Sequence, residues 1–556
     1  MHASVLLLGA LCCVAAQPSA PTITTSCGSV TGSTDAVRHS DGVFVHRWAH
    51  IPYAAPPVGD LRWRAPTPVA CPWAGTINGS MFPPMCPQTS GIGSEDCLYL
   101  NVIRPTNATA ASRLPVLVYF HGGNLIGGSA PSFIPSAAVI AAQLNAVVIS
   151  VGYRLNTLGW LALDELAAES GFAGNYGLLD AIQALQWVRD NAATFGGDPS
   201  HVTIFGQSSG GTLIFGLYSA PGARGLFTGA LSLSGSPNIT QDATSKRAQD
   251  APIAAALGCG PPLPPAAMLA CLRALPAHNV SRATPPPWDT PGIFGWPTSG
   301  IPPPSAGGNA YAGIIHVDGV VVTQSFEDAL VNDLVPAALI ISNMAAEGDG
   351  GPGAVVRNFT STQWEAFLNQ SFARFLGGGA AEAARARGAY ADAAAVDPQL
   401  AYDSIAADYG LTCAGRSLAL RVGGRRSRPL YLLYNAFPPS QWGSNGAGRW
   451  PDHGMDLREM TWAWSYDPTP DDSRYAAVMQ SMLSDFATGG GLMPAAWNWP
   501  PVAAASPPYT LVLAANGAPP AAPWPGGGVR AVADWRAGPC DALEANGLGR
   551  QYWWCD

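Results

Sequence analysis

The sequence predicts an α/β fold in which one large, mostly parallel sheet is covered by helices on both faces. Three observations carry this. Leu114 to Phe120 and Ala146 to Val151 are continuous apolar runs, as expected of central parallel strands buried on both sides. Leu178, Ile182, Leu185 and Val188 recur at helical spacing, which makes 178–191 an amphipathic crossover helix. Gly229 to Ser234 and Ala337 to Ser342 read as further strands, so strands and helices alternate along the chain.

Between the crossover helix and the strand at 229 lies the stretch around which the rest is arranged. The run from His201 to Phe205 alternates and is rich in β-branched residues; it enters Gly206-Gln207-Ser208-Ser209-Gly210, and a small-residue, helix-compatible segment follows from Gly211. A strand, a sharp turn and a helix in that order hold a serine in a strained conformation with its hydroxyl exposed, so the positions two before and two after must lack bulk. The helix start offers unpaired N–H groups and the positive end of a dipole, suited to a developing oxyanion.

Only 12% of the residues are charged, about half the usual share, and the net charge is −9 with no basic run. That balance argues against a nucleic-acid partner. Residues 1–16 read as a signal peptide, with an apolar run too short to span a bilayer and a small-residue cleavage site at Val14-Ala15-Ala16. No later run predicts stable membrane insertion. The expected product is a secreted protein. Six sequons, at Asn78, Asn107, Asn238, Asn279, Asn358 and Asn369, are candidate glycosylation sites on that route. Nine cysteines remain after the leader, with no zinc-like spacing. Nine is odd, which leaves one thiol over.

At the N-terminal end, Cys27 to Gly32 and Val43 to Trp48 read as short edge strands. Ile51 to Pro66 is too rich in proline for a helix or central strand and reads as an extended surface segment. Cys86 and Cys97 flank a short loop that a disulfide could close. The Pro/Gly-rich stretch 285–312 reads as an irregular insertion, and 380–395 as a helix on its alanine content alone.

Several of these segments together strongly resemble the type-B carboxylesterase and cholinesterase family of α/β-hydrolases. The resemblance lies in Ile51 to Pro66, Ser94 to Val102, Gly152 to Leu161, Gly174 to Asp180 and Phe195 to Pro199, and thins after about residue 515. It implies an α/β-hydrolase fold, with residues 17–556 as a single catalytic domain in place of the several that length alone would suggest. It also implies a serine hydrolase of carboxylic esters that needs no metal or organic cofactor.

Acyl transfer by serine needs a base within reach and a carboxylate to fix its tautomer, in the chain order Ser, acid, His for this fold. His453, in His453-Gly454-Met455-Asp456, matches the family's His-Gly-x-Glu/Asp motif. Glu347 stands where the family's acid follows a strand, with Asp349 as the nearby alternative. Carried over by position, the oxyanion hole comes from the N–H groups of Gly123, Asn124 and Ser209, behind His121-Gly122. Asn124 departs from a glycine, Gln207 from a glutamate and Ser209 from an alanine. Asn tolerates positive φ, so the loop can survive. Gln207 removes a carboxylate beside the nucleophile and is expected to shift the His453 pKa. Ser234 matches a serine position behind the triad and would bond Glu347 or His453; an ordinary strand hydroxyl is the alternative. The resemblance pairs Cys86 with Cys97 and Cys259 with Cys271. Cys413 is left with Cys540 or Cys555, while Cys27 and Cys71 have no family counterpart and could pair with each other.

The expected substrate is a small-molecule or lipid ester. A choline ester is disfavoured, because residues 87–96 contain no aromatic side chain and Gln207 carries no charge. The shortness of that loop favours soluble esters over a lipase-like role. The other class is a non-catalytic adhesion protein on the same scaffold, which would usually lack a triad member and carry a membrane helix.

Overall fold

The computed structural model describes residues 19–237, 239–285, 314–347, 359–375, 388–391, 394, 398–437, 451, 453–463, 468–503, 508–514 and 528–544. Its strands in chain order are β1 (Ile23–Thr25), β2 (Gly28–Thr31), β3 (Ser33–Ala36), β4 (Phe44–Pro52), β5 (Thr76–Asn78), β6 (Tyr99–Pro105), β7 (Leu114–Phe120), β8 (Val147–Val151), β9 (Gly197–Gln207), β10 (Gly229–Leu233), β11 (Ala338–Met344), β12 (Leu430–Asn435), β13 (Tyr509–Ala514) and β14 (Gly528–Ala533). β1, β2 and β5 form a small separate sheet; the other eleven form one sheet in the order β14-β13-β12-β11-β10-β9-β7-β8-β6-β4-β3. From β8 through β7 and β9 to β13 every neighbour is parallel. Antiparallel strands finish both margins, β6, β4 and β3 at one and β14 at the other.

The apolar runs are continuous because each parallel strand feeds two cores. Val116, Val118 and Phe120 of β7 face one side, against the helices Tyr176–Asn191 and Ser209–Tyr218; Leu117 and Tyr119 face the other, against Ile134–Leu144 and Pro470–Thr488. Leu339 and Ile341 alternate in the same way with Ala338 and Ile340 on β11. This is the period-two geometry of a strand in a sheet covered twice.

Two expectations for the N-terminal region are corrected. β4 is nine residues long and lies between β3 and β6, so it is not an edge strand. It accommodates Pro52 at its end, past a register shift between Trp48 and Ile51 at which His50 takes φ 59°. The segment 51–66 is not a surface element throughout. Trp63 is fully buried and donates its indole N–H to the Thr157 carbonyl at 2.8 Å, and buried Arg62 makes a two-pronged contact with Glu95 at 2.7 and 2.6 Å. A second such pair, Arg154 on Asp180 at 2.8 and 2.7 Å, is also buried. Both pairs use two guanidinium nitrogens on two carboxylate oxygens, a fork that a lysine ammonium cannot make, and removing one partner would leave a buried charge without compensation.

Disulfides join Cys86 to Cys97 and Cys259 to Cys271 as the resemblance implies, and also Cys27 to Cys71 and Cys413 to Cys540. Of the two partners open to Cys413, Cys540 is the one used; Cys555 lies outside the described residues. Residues 286–312 of the 285–312 insertion, most of 380–395, the leader and Asp349 also lie outside them. Among the described residues, no helix is long and apolar enough to cross a membrane.

Candidate active site

β7, β9, β11 and β12 end at the same margin of the sheet, the carboxyl edge at which α/β sheets place their sites. Ser208 follows β9 directly and has φ 59° and ψ −131°, a backbone conformation that L-residues with a Cβ rarely adopt. The two flanking glycines are required by space. A Cβ on Gly206 would lie 2.5 Å from the Gly210 carbonyl, and one on Gly210 would lie 2.2 Å from the Phe120 carbonyl oxygen. The Ser208 N–H is tied to the Leu233 carbonyl at 2.8 Å, which fixes the turn against β10.

Glu347 is fully buried three residues beyond β11. Its Oε1 accepts the Met344 N–H at 2.7 Å and its Oε2 accepts from His453 Nδ1 at 2.6 Å. His453 comes from the segment after β12 and precedes Gly454, which takes φ 81° at the start of the helix Met455–Met460. With Nδ1–H committed to the carboxylate, a neutral imidazole has its lone pair on Nε2. That nitrogen meets the Gln207 side-chain Nε2 at 2.9 Å. Ser208, Glu347 and His453 thus lie at one edge of the sheet with the Glu347–His453 contact made; no hydrogen bond between Ser208 and His453 is present among the described residues, and Ser208 is one residue from the group that touches Nε2.

The loop after β7 has three successive residues at positive φ, Gly123 at 118°, Asn124 at 58° and Leu125 at 58°. Asn124 adopts the left-handed conformation expected of it. A Cβ on Gly122 would lie 2.6 Å from the Gln207 carbonyl oxygen and 2.9 Å from Ser208 Cβ, so this loop packs directly on the serine turn. Among the described residues, the N–H groups of Gly123, Asn124 and Ser209 have no protein acceptor. They could donate to an oxygen beside Ser208.

Three supports were not read from the sequence. The Ser209 hydroxyl, fully buried, accepts the Leu125 N–H at 3.0 Å and so braces the loop from the serine helix; an alanine could not do this. Tyr153 stacks on the His121 ring at 4.4 Å and donates its hydroxyl to the His121 carbonyl at 2.6 Å. Burial lowers the His121 pKa to about 4, so the ring is neutral and its Nδ1–H donates to the Gly122 carbonyl at 2.9 Å. The signals were Tyr153 inside the motif Gly152 to Leu161 and Ser209 at a position expected to be alanine.

Ser234 is a correction. Its N–H bonds the Ser342 carbonyl at 2.8 Å, but among the described residues its buried hydroxyl has no partner and bonds neither Glu347 nor His453. Ser234 lies one residue past β10 with φ 52°, outside the extended range of a strand residue. Ser342 Oγ instead joins a chain through Asn435 to Tyr475, at 2.9 and 2.8 Å.

Asp456, the last residue of the histidine motif, is fully buried, with one oxygen that has no partner among the described residues. Burial first, and then the Glu347 charge, raise its carboxyl to about 7. The folded pKa thus exceeds the ordinary value of 3.8, so folding takes up a proton between the two. The stabilisation from this group is fully present below pH 3.8 and is lost as pH rises through about 7. Asp456→Asn cannot ionise, so its stability relative to wild type is expected to rise by as much as ~4 kcal/mol from pH 4 to pH 8. Paired denaturant melts at the two pH values measure this; a constant difference would contradict it.

Of the six sequon asparagines, Asn78, Asn107, Asn279 and Asn369 are exposed; Asn238 and Asn358 lie outside the described residues.

The sequence matches the carboxylesterase family over residues 19–518. It is 38% identical over 285 residues to the medium-chain fatty acyl-CoA hydrolase precursor of Anas platyrhynchos, covering 48% of this chain and 49% of that protein. It is 40% identical over 223 residues to the para-nitrobenzyl esterase of Bacillus subtilis, covering 38% and 43%, and 39% identical over 295 residues to human carboxylesterase 3, covering 48% and 50%. The chain therefore spans about half the length of the curated relatives it matches. A solved PNB esterase structure aligns with 94% of this chain and 99% of its own at a TM-score of 0.68 and 25% identity. A thermophilic PNB esterase aligns over the same shares at 0.69 and 24%.

Proposed function

The chain belongs to the carboxylesterase family, and from that premise we propose that it hydrolyses carboxylic esters through an acyl-enzyme on Ser208. His453 Nε2 takes the Ser208 proton as the oxygen attacks the ester carbonyl, then returns it to the leaving alcohol. Glu347 holds Nδ1–H, which keeps the lone pair on Nε2 and stabilises the imidazolium while it exists. The N–H groups of Gly123, Asn124 and Ser209 receive the oxyanion of the tetrahedral intermediate. Water then attacks the acyl-enzyme with His453 again as base, releasing the acid.

The observation that carries this reading is the 2.6 Å contact between Glu347 and His453, residues 106 apart in sequence, at the strand edge where Ser208 occupies its strained turn. Glu347 is preferred to Asp349 as the acid on that contact. The name of the duck relative extends the candidate substrates to acyl thioesters, which the same steps would cleave.

Residues 17–556 are read as a single secreted catalytic domain after removal of 1–16. Four disulfides and the exposed asparagines of four sequons support the secretory route. The ten-residue loop between Cys86 and Cys97 supports short, soluble esters. A panel of p-nitrophenyl esters from acetate to palmitate tests the function. The expected result is turnover that is highest for the short acyl chains. Turnover of none of them would sink the enzyme reading, and a preference for palmitate would sink the soluble-ester reading.

A further inference from the structure

We propose that Gln207 gates the catalytic base: its side-chain amide occupies the relay nitrogen of His453 in the resting protein, and Ser208 becomes a nucleophile only when that amide moves off. The inference rests on the reading of Ser208 and His453 given above and adds a regulating residue to it.

A neutral imidazole has one lone pair. Its Nδ1 faces the Glu347 carboxylate at 2.6 Å and therefore carries the proton, so the lone pair is on Nε2. The Gln207 amide nitrogen sits 2.9 Å from that atom and donates to it. The assignment of the amide is consistent with this tautomer, because its oxygen would place two lone pairs against each other. Any proton that Ser208 transfers must go to the same lone pair, so the amide and the hydroxyl compete for one acceptor.

The amide reaches Nε2 through a narrow slot, open on the side where Gln207 is partly exposed. It lies between two residues without side chains: a Cβ on Gly454 would be 3.2 Å from Gln207 Nε2, and a Cβ on Gly122 would be 3.3 Å from Gln207 Oε1. Gln207 is also only partly buried, unlike its neighbours Gly206 and Ser208. No hydrogen bond to another side chain ties it down among the described residues, so the contact with His453 is what holds it.

Among the described residues, the titratable groups around the base are Glu347 on the other ring nitrogen, Asp456 in the helix that follows it, and His121 in the loop on Gly122's side. Gln207 is the uncharged member of this set. A carboxylate in its place would face Nε2 directly and favour the imidazolium, so the neutral base would exist only at higher pH.

Two variants and two readouts test the gate: the second-order rate of inactivation by a fluorophosphonate, and the pH dependence of kcat/KM for p-nitrophenyl acetate. Gln207→Met keeps the volume and removes the donor; it is expected to be phosphonylated about three- to tenfold faster than wild type, the range for release from one neutral hydrogen bond. Gln207→Glu is expected to move the acid limb of the profile up by about one unit. An unchanged or slower rate in a Gln207→Met protein that melts with wild type overturns the gate. If that variant does not fold, an unmoved acid limb in Gln207→Glu overturns it. A wild type that neither labels nor turns over removes the Ser208–His453 reading itself, a different result from a wild type that reacts and a variant that gains nothing.

Discussion

Ser208→Ala is expected to lower kcat/KM for a p-nitrophenyl ester by about 10⁴- to 10⁶-fold, with the residual rate coming from binding and the oxyanion donors. The size of the effect follows from the loss of the acyl-enzyme route, since nothing else within the turn can take its place: Gln207 and Gly210 carry no nucleophile, and the Ser209 hydroxyl is committed to Leu125. The fold is expected to be unaffected, because alanine keeps the same backbone penalty at φ 59°. Ser208→Gly provides an internal control. It should be equally inactive and more stable by about 1–3 kcal/mol, the cost of holding a residue with a Cβ in that region. A Ser208→Ala protein that retains a tenth or more of wild-type activity would remove the serine from the mechanism.

Glu347→Gln is expected to cost about 10³- to 10⁴-fold in kcat/KM, comparable to the same change in other triads. The geometry explains why so small a substitution should matter so much. The Met344 N–H donates to Oε1 at 2.7 Å, so a glutamine at this site would put its oxygen there and turn its NH₂ toward His453. Nδ1 would have to accept, the proton would move to Nε2, and the base would present the wrong tautomer to Ser208. The variant should fold, since glutamine is isosteric with glutamate, and should still be labelled slowly by a fluorophosphonate. Wild-type kcat/KM in Glu347→Gln would show that the 2.6 Å contact to His453 does not serve catalysis.

The sheet was legible because its central strands are buried on both faces, and such strands have no polar alternation to misread. β7, β8, β10 and β11 appear within two residues of where the apolar runs place them. β4 was not legible in full, because Pro52 argues against a strand unless it falls at the end of one, past an irregularity that only pairing with β6 reveals. β14 follows a run rich in glycine and proline, beyond the point where the resemblance thins, and its pairing with β13 has no local signal. At the site, the residue types that chemistry demands were readable from motifs: Ser208 from its glycines, His453 from Gly454 and Asp456, Glu347 from the strand before it. What those side chains do beyond their motif was not. That Gln207 reaches Nε2 across 246 residues of sequence, that Ser209 braces Leu125, and that the buried Ser234 hydroxyl has no partner among the described residues are consequences of packing between distant segments.

The most direct test of the central claim is the position of a covalent adduct. Wild type treated with a fluorophosphonate, digested and sequenced by tandem mass spectrometry, should carry one adduct, on Ser208, and Ser208→Ala should carry none. A wild type that cleaves p-nitrophenyl esters while its adduct lies on any other residue, or while no adduct forms, would contradict the account.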